Sequence, residues 1–415
     1  MWGRKVQQAI YLEGLLGRRP KVPVYPEALE RAARRRASPE AWAYIAGGAG
    51  LERTVAANLE AFRRYAFRPR MLRGAPPPSL EVELFGRRWA APLFLAPIGV
   101  LELAHRKGDL AAARAAAQKG VPFMVSNQSS YPLEAIAEAM EGVRPGAIRF
   151  FQLYHSTDFR VVRSFLRRAE AAGYMGVVLT VDTVQLGWRP RDLDLGHLPF
   201  LKGQGLAQYL TDPAFLAALE EPLEGPAPKV RLSPALLRAL PTLWRAGKGN
   251  LARALKAVRR FVATYSFPEL SWEEVRRVRE ETPLPLILKG LLHPGDAERA
   301  VELGVDAVYV SNHGGRQVDG AVAALDALPG VVRAVGGRVP VFMDSGVRTG
   351  ADVAKALALG AKAVGLGRPY VYGLLWGEEG VGAVLDYVLA ELELTLALVG
   401  VGRLEELGPH LLGLD

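Results

Sequence analysis

Residues 285–315 read PLILKGLLHPGDAERAVELGVDAVYVSNHGG, and the order of their parts decides the fold. A continuous apolar run, PLILKG, is followed by a helical pattern, DAERAVELG, that stops at glycine; a second apolar run, DAVYVS, then leads into SNHGG. Continuous rather than alternating apolar runs are what strands buried on both faces of a parallel sheet require. Glycine just past a helix suits the left-handed turn that ends it. The segment therefore reads as a β–α–β unit.

The same unit recurs on both sides. Strands are expected at LFLAP (93–97), PFMVS (122–126), IRFFQLY (148–154), GVVLTVD (176–182), PLILKG (285–290), DAVYVS (306–311), VPVFMD (339–344) and AVGLG (363–367), with helical stretches such as DLAAARAAAQKG and GADVAKALALG between them. Eight such units predict an α/β fold, the (β/α)8 TIM barrel. One connection breaks the rhythm: about 100 residues separate strands four and five, more than a βα loop needs, and the excess, about 190–265, reads as an inserted lid over the C-terminal face. Residues 1–80 read as an N-terminal helical extension, in which YPEALERAARRRASPEAWAYIAGGAG predicts two short helices and a glycine stop. Residues 81–400 form the barrel and 401–415 a C-terminal tail. The apolar stretch VGAVLDYVLAELELTLALVG (381–400) reads as a packed helix, not a membrane span.

Composition narrows the function. Of 415 residues, 50% are hydrophobic and 23% charged, as in folded globular proteins. A net charge of +9 permits nucleic acid, acidic lipid or a small anion as partner. The clusters Arg34–Arg36 and Arg63–Arg64, however, are interleaved with alanine and glutamate at helical spacing, as on solvated helix faces, so no nucleic-acid partner is expected. The absence of cysteine excludes disulfides, thiol catalysis and thiolate metal sites. No window reaches the ~20 apolar residues of a membrane span, and the N-terminus lacks a signal-peptide pattern. A cytoplasmic protein with no integral membrane segment is expected.

In such a barrel the active site lies where the strands end. Strand one ends in Ala96, Pro97, Ile98 and Gly99; strand two in Ser126; strand three in Gln152 and Tyr154; strand four in Thr180 and Asp182, followed by Arg189. Strand five ends in Lys289, strand six in Ser311 and His313 followed by Arg316, strand seven in Asp344, Gly346 and Arg348, and strand eight in Gly367 and Arg368. Buried charges are costly unless paired, so their repetition at one rim points to a polar ligand. Glycine beside arginine in DSGVR and GLGRP fits a phosphate held by backbone N–H groups. His313 can act as a base near neutral pH, and Asp182 could stabilise its imidazolium. Arg189 and Arg316 could each grip a carboxylate in a forked pair. The substrate on this reading is a small carboxylic acid that loses a proton beside its carboxylate. His313 has no second histidine ligand nearby, and no metal site is expected.

With these residues in place, SNHGGRQVD resembles the active-site signature of the FMN-dependent L-2-hydroxy acid oxidoreductases. FRPRML, LAPIG, RFFQLY, LTVDT, LSWEEV, ILKG, MDSGVR, KALALGAKAVGLGRP and ELELTLALVG match the family in order. Within it, APIGV, LGWRPRDLD, HLPFL and GGRQVDGAVAALDALP are most similar to the lactate 2-monooxygenase pattern. The resemblance implies FMN as cofactor, with Gly346, Arg348, Gly367 and Arg368 at its phosphate and Asp344 on the ribityl chain. It places Ser126, Gln152 and Thr180 on the polar ring edge, Lys289 at N1 and O2, and Ser311 and the Ala96–Gly99 turn facing the ring. His313 matches the family's base, Asp182 its carboxylate partner, Arg189, Arg316 and Tyr44 the groups that hold the substrate carboxylate, and Tyr154 the contact to the substrate hydroxyl.

Three positions depart from the commoner family pattern: Gly99 stands where many members have alanine, Gln128 where glycolate oxidases have an aromatic residue, and Trp188 in place of a basic residue. They leave the catalytic set intact and bear on substrate and acceptor. The resemblance implies oxidation of a small 2-hydroxy acid, expected to be L-lactate, with dioxygen as acceptor, by a homotetramer or octamer. The rival is a dehydrogenase passing electrons to a quinone or cytochrome.

Overall fold

The structure is a computed structural model that describes residues 1–223 and 234–414. Eight parallel strands close into a barrel in chain order: β1 (Leu93–Leu95), β2 (Phe123–Ser126), β3 (Arg149–Tyr154), β4 (Gly176–Thr180), β5 (Leu286–Leu291), β6 (Ala307–Val310), β7 (Val341–Met343) and β8 (Ala363–Leu366), with β8 pairing back onto β1. Seven lie within an expected apolar run, and β5 runs one residue past its own, to Leu291. The runs overshoot the strands because their last residues, Pro97, Asp182 and Asp344 among them, leave the ladder at the rim.

Alternate residues of each strand point into the barrel. Phe94, Met124, Phe150, Val178, Ile287, Tyr309 and Phe342 fill it without exposure. The hairpin Val82–Leu84 and Arg87–Trp89, just ahead of β1, plugs the end where the strands begin: the Phe85 ring stands edge-on to Phe150 and Phe342 at 5.9 and 6.0 Å. Two residues further along the same inward rows come Ser126, Gln152, Thr180, Lys289, Ser311 and Asp344, all buried. Period-two alternation thus turns an apolar plug into a polar ring at the C-terminal end. That change, more than the barrel itself, positions the site.

The extension carries helices Trp2–Leu15, Pro26–Arg36, Pro39–Ala46 and Arg53–Arg64. The second and third are those expected from YPEALERAARRRASPEAW; the Ser38 hydroxyl accepts the Ala41 N–H at 3.1 Å and starts the third. Helix Gly377–Leu398 buries Leu385, Leu392 and Leu396. Among the described residues no helix is long and apolar enough to cross a membrane.

The insertion after β4 is helical, with Pro190–Asp194, Ala207–Leu210, Pro213–Ala218, Pro234–Ala246 and Leu251–Thr264; residues 224–233 of the expected lid lie outside the described residues. An aromatic cluster holds it together, Tyr209 and Phe200 packing on Phe261 at 4.9 and 5.1 Å. Tyr209 also stands edge-on to Phe165 at 5.1 Å, which seats the insertion on the barrel. The expected C-terminal tail forms a strand, Leu412–Leu414, antiparallel to Tyr65–Phe67.

Candidate active site

At the C-terminal ends of the strands lies a cleft enclosing about 1020 Å³, its open mouth included. Ala96, Pro97, Ile98 and Gly99 form one wall, and Asp344, Gly346, Arg348, Gly367 and Arg368 another; Tyr44 and Tyr154 join them from the extension and β3. Phe200 and Tyr265 close it from the insertion. Neither of these last two is among the expected site residues; the length of the insertion and, for Phe200, its place in HLPFL are the only sequence signals for them.

The segment after β6 holds His313 at φ 59° and Gly314 at φ 63°, both left-handed. For a residue with a Cβ this costs on the order of 1 kcal/mol or more and persists only where the surroundings enforce it. Here they do. Asn312 exchanges amide hydrogen bonds with Asn58 of the extension at 2.7 and 2.8 Å. Ser311 Oγ accepts the His313 N–H at 3.1 Å, and Ser345 Oγ accepts the Gly314 N–H at 3.0 Å.

So fixed, His313 places Nδ1 2.9 Å from Asp182 Oδ1, which also accepts the Thr183 hydroxyl at 2.8 Å. With Nδ1 donating to the carboxylate, Nε2 carries the free lone pair, and it lies 3.4 Å from the Tyr154 hydroxyl. Burial lowers the His313 pKa below its ordinary 6.5, against the opposing pull of Asp182, so the ring is a neutral base at pH 7. Burial works to raise Asp182, but His313, Lys289 and the Thr183 hydroxyl outweigh it and bring its pKa down to about 2. Burial raises the Tyr154 phenol, keeping it a donor.

Beneath the cleft, Lys289 Nζ donates to Ser311 Oγ at 3.0 Å and stands 4.0 and 3.9 Å from Asp182 and Asp344. Ser311, Ser345 and Tyr309 donate their hydroxyls to Asp344 at 2.5, 2.8 and 2.8 Å. Ser126, Gln152 and Thr180 do not line the cleft wall; they lie in the buried ring of strand ends with Lys289.

Four arginines reach the cleft, and among the described residues none pairs with a carboxylate. Arg316 donates to the Tyr44 and Gly47 carbonyls, and Arg189 to the Arg316 carbonyl and the Gln317 amide. Arg368 donates to the carbonyls of Ile45, Gly314 and Gly47, and Arg348 to that of Val347. Burial, with the nearby Arg316, lowers the Arg189 pKa to about 10, and burial lowers that of Arg368 to about 10, so both remain cations at neutral pH.

The residues fit FMN. Just behind the cleft, the buried polar atoms Gln152 Nε2, Thr180 Oγ1 and Asp182 Oδ2 have no hydrogen-bond partner among the described residues, as a ring edge with donors and acceptors would require. Gly346 sits at φ +93°, where a Cβ would meet the Asn58 carbonyl at 2.5 Å, and a Cβ on Gly367 would meet nothing within 4 Å. The backbone at Gly367 is bare, and with Arg348 and Arg368 lining the same cleft that turn suits a phosphate.

Residues 33–414 match the family model described as FMN-dependent dehydrogenase. An L-lactate oxidase of Lysinibacillus sphaericus is 40% identical over 386 residues, 93% of this chain and 91% of that one. An FMN-dependent alpha-hydroxy acid dehydrogenase of Penicillium citrinum is 40% identical over 95% of this chain and 92% of its own. The crystal structure of a mandelate oxidase with (S)-4-hydroxymandelic acid superposes with a TM-score of 0.75 at 35% identity, covering 94% of this chain and 98% of that one.

Proposed function

The chain belongs to the FMN-dependent dehydrogenase family and is an FMN-dependent 2-hydroxy acid oxidoreductase, and on that premise we propose that it oxidises L-lactate with dioxygen as acceptor. The observation that carries this reading is the neutral base His313, backed by Asp182, within one cleft with Arg189 and Arg316, which among the described residues have no carboxylate of their own. A base beside unpaired guanidinium groups suits a substrate that is deprotonated next to its carboxylate.

In this reading Arg189 and Arg316, with Tyr44, hold the substrate carboxylate, and the Tyr154 hydroxyl contacts the substrate hydroxyl. His313 Nε2 takes up a proton as the substrate becomes a 2-oxo acid, and Asp182 stabilises the resulting imidazolium. Bound FMN supplies the two-electron acceptor and its reoxidation by a second substrate. Arg348, Arg368, Gly346 and Gly367 would hold its phosphate, Asp344 its ribityl chain, and Ser126, Gln152, Thr180, Lys289, Ser311 and the Ala96–Gly99 turn its ring. Phe200 and Tyr265 exclude water from above.

Retention of the 2-oxo acid in a closed cleft gives the monooxygenase outcome, acetate, CO₂ and water; early release gives pyruvate and H₂O₂. The similarity of APIGV and LGWRPRDLD to lactate 2-monooxygenase supports the first. The family resemblance supports a homotetramer or octamer. Product analysis after L-lactate turnover in air tests the acceptor: acetate or peroxide in step with lactate consumed is expected. Slow reaction with air but fast reduction of a soluble quinone would replace it with a dehydrogenase.

A further inference from the structure

Inside the barrel, Tyr309 brings a hydroxyl into an apolar plug that otherwise comprises Phe94, Phe342 and their neighbours, and it is fully buried. A phenol there is costly unless its hydroxyl is bonded. It is: the hydroxyl donates to Asp344 Oδ2 at 2.8 Å. The barrel is also cut away around it, since a Cβ on Gly365 of β8 would stand 2.8 Å from the Tyr309 hydroxyl and 3.0 Å from Asp344 Cβ.

The oxygen it binds is the one nearest the lysine, for Asp344 Oδ2 and Lys289 Nζ are 3.9 Å apart, beyond hydrogen-bond reach. Lys289 stays instead on Ser311, its ammonium 5.2 Å from the centre of the Tyr309 ring. A carboxylate oxygen without a donor at this distance from an ammonium would close to a direct pair, ~2.8 Å, and the lysine's charge would be largely cancelled.

We propose that Tyr309 is a positioning residue for the cofactor site, its hydroxyl holding Asp344 off Lys289 and so preserving the positive field that the lysine presents to the bound ring. The proposal rests on the reading that Lys289 faces that ring. Tyr309 touches neither the cleft nor substrate; it acts through Asp344.

The test is the two-electron midpoint potential of the FMN-bound enzyme in wild type, Tyr309→Phe, Lys289→Met and the double variant. Tyr309→Phe keeps the ring and removes one oxygen. It should make reduction about tenfold less favourable, a negative shift of about 30 mV for a two-electron couple, and should add nothing in the Lys289→Met background. An unchanged potential in Tyr309→Phe beside a lowered one in Lys289→Met overturns the proposal and leaves the site reading standing. A shift that persists in full without Lys289 also overturns it. An unchanged potential in Lys289→Met itself contradicts the placement of the lysine by the ring.

Discussion

Asp182 and His313 lie 131 positions apart in the chain and meet at 2.9 Å, Oδ1 to Nδ1, at the C-terminal rim of the barrel, from beyond the ends of β4 and β6 with β5 between them. The contact assigns the tautomer: Nδ1 carries the proton, and Nε2 faces the substrate side beside Tyr154. Asp182 opposes the burial that depresses the His313 pKa. Its loss therefore leaves histidine a weaker base with an unstabilised cation. In Asp182→Asn, kcat/KM should fall on the order of 10²-fold or more, and the acid limb of its pH profile should move to lower pH. In the wild type that limb should already lie below pH 6.5. Profiles of kcat/KM from pH 4.5 to 8 for the two proteins measure both.

Arg189 and Arg316 should contribute to binding the carboxylate without touching the cofactor. Arg189→Met should raise the KM for L-lactate about 10- to 100-fold, the worth of a charge-assisted hydrogen bond of ~1.5–3 kcal/mol. Arg189→Lys should recover only part of this, because an ammonium lacks the fork. The FMN absorption spectrum should be unaltered in both.

Asp109 gives a stability prediction away from the cleft. It is fully buried, Oδ1 has no hydrogen-bond partner among the described residues, and burial raises its pKa from 3.8 to about 7. Between pH 4 and 7 the folded state keeps a proton that the unfolded state has lost, so stability declines as pH rises through this window. At ~1.4 kcal/mol per unit the effect amounts to a few kcal/mol. Asp109→Asn keeps an oxygen to accept the Ser130 N–H, which now bonds Oδ2 at 2.8 Å. It should flatten the decline and unfold at a higher temperature than wild type at pH 8, as thermal melts across pH 4–8 would read.

Gly99 bears on substrate size. An added Cβ would stand 3.0 Å from Gln128 Cβ and 3.2 Å from the Gln128 carbonyl, so in Gly99→Ala these two cleft-lining residues must part by a few tenths of an ångström and the new methyl group takes up room beside the substrate. The variant should lose kcat/KM roughly tenfold more on 2-hydroxybutyrate than on glycolate, by the worth of a methyl group or two in a pocket. Gln128→Ala in the same chain should restore most of the difference.

The sequence made the barrel legible because its strands, buried on both faces, are written as unbroken apolar runs. The rim residues were legible as charges where such runs end, and the structure brings His313, Asp182, Arg189, Arg316, Tyr44 and Tyr154 to one place. Other parts carried no local signal. Tyr309 sits in the same kind of run as any core residue, and only its meeting with Asp344, at the end of the neighbouring β7, gives its hydroxyl a role. Asn58 and Asn312 pair across 254 positions, and Tyr65–Phe67 pairs with Leu412–Leu414 from opposite ends of the chain. Phe200 and Tyr265 belong to an insertion whose length was plain but whose path over the cleft depends on an aromatic cluster formed only on folding.

Anaerobic addition of L-lactate to the purified FMN-bound protein tests the central claim most directly. The flavin absorption band should bleach within the turnover time, and in His313→Gln the same bleaching should slow by at least ~10²-fold with substrate still bound. A band left untouched by L-lactate, glycolate and mandelate alike, or one that His313→Gln bleaches at the wild-type rate, would contradict it.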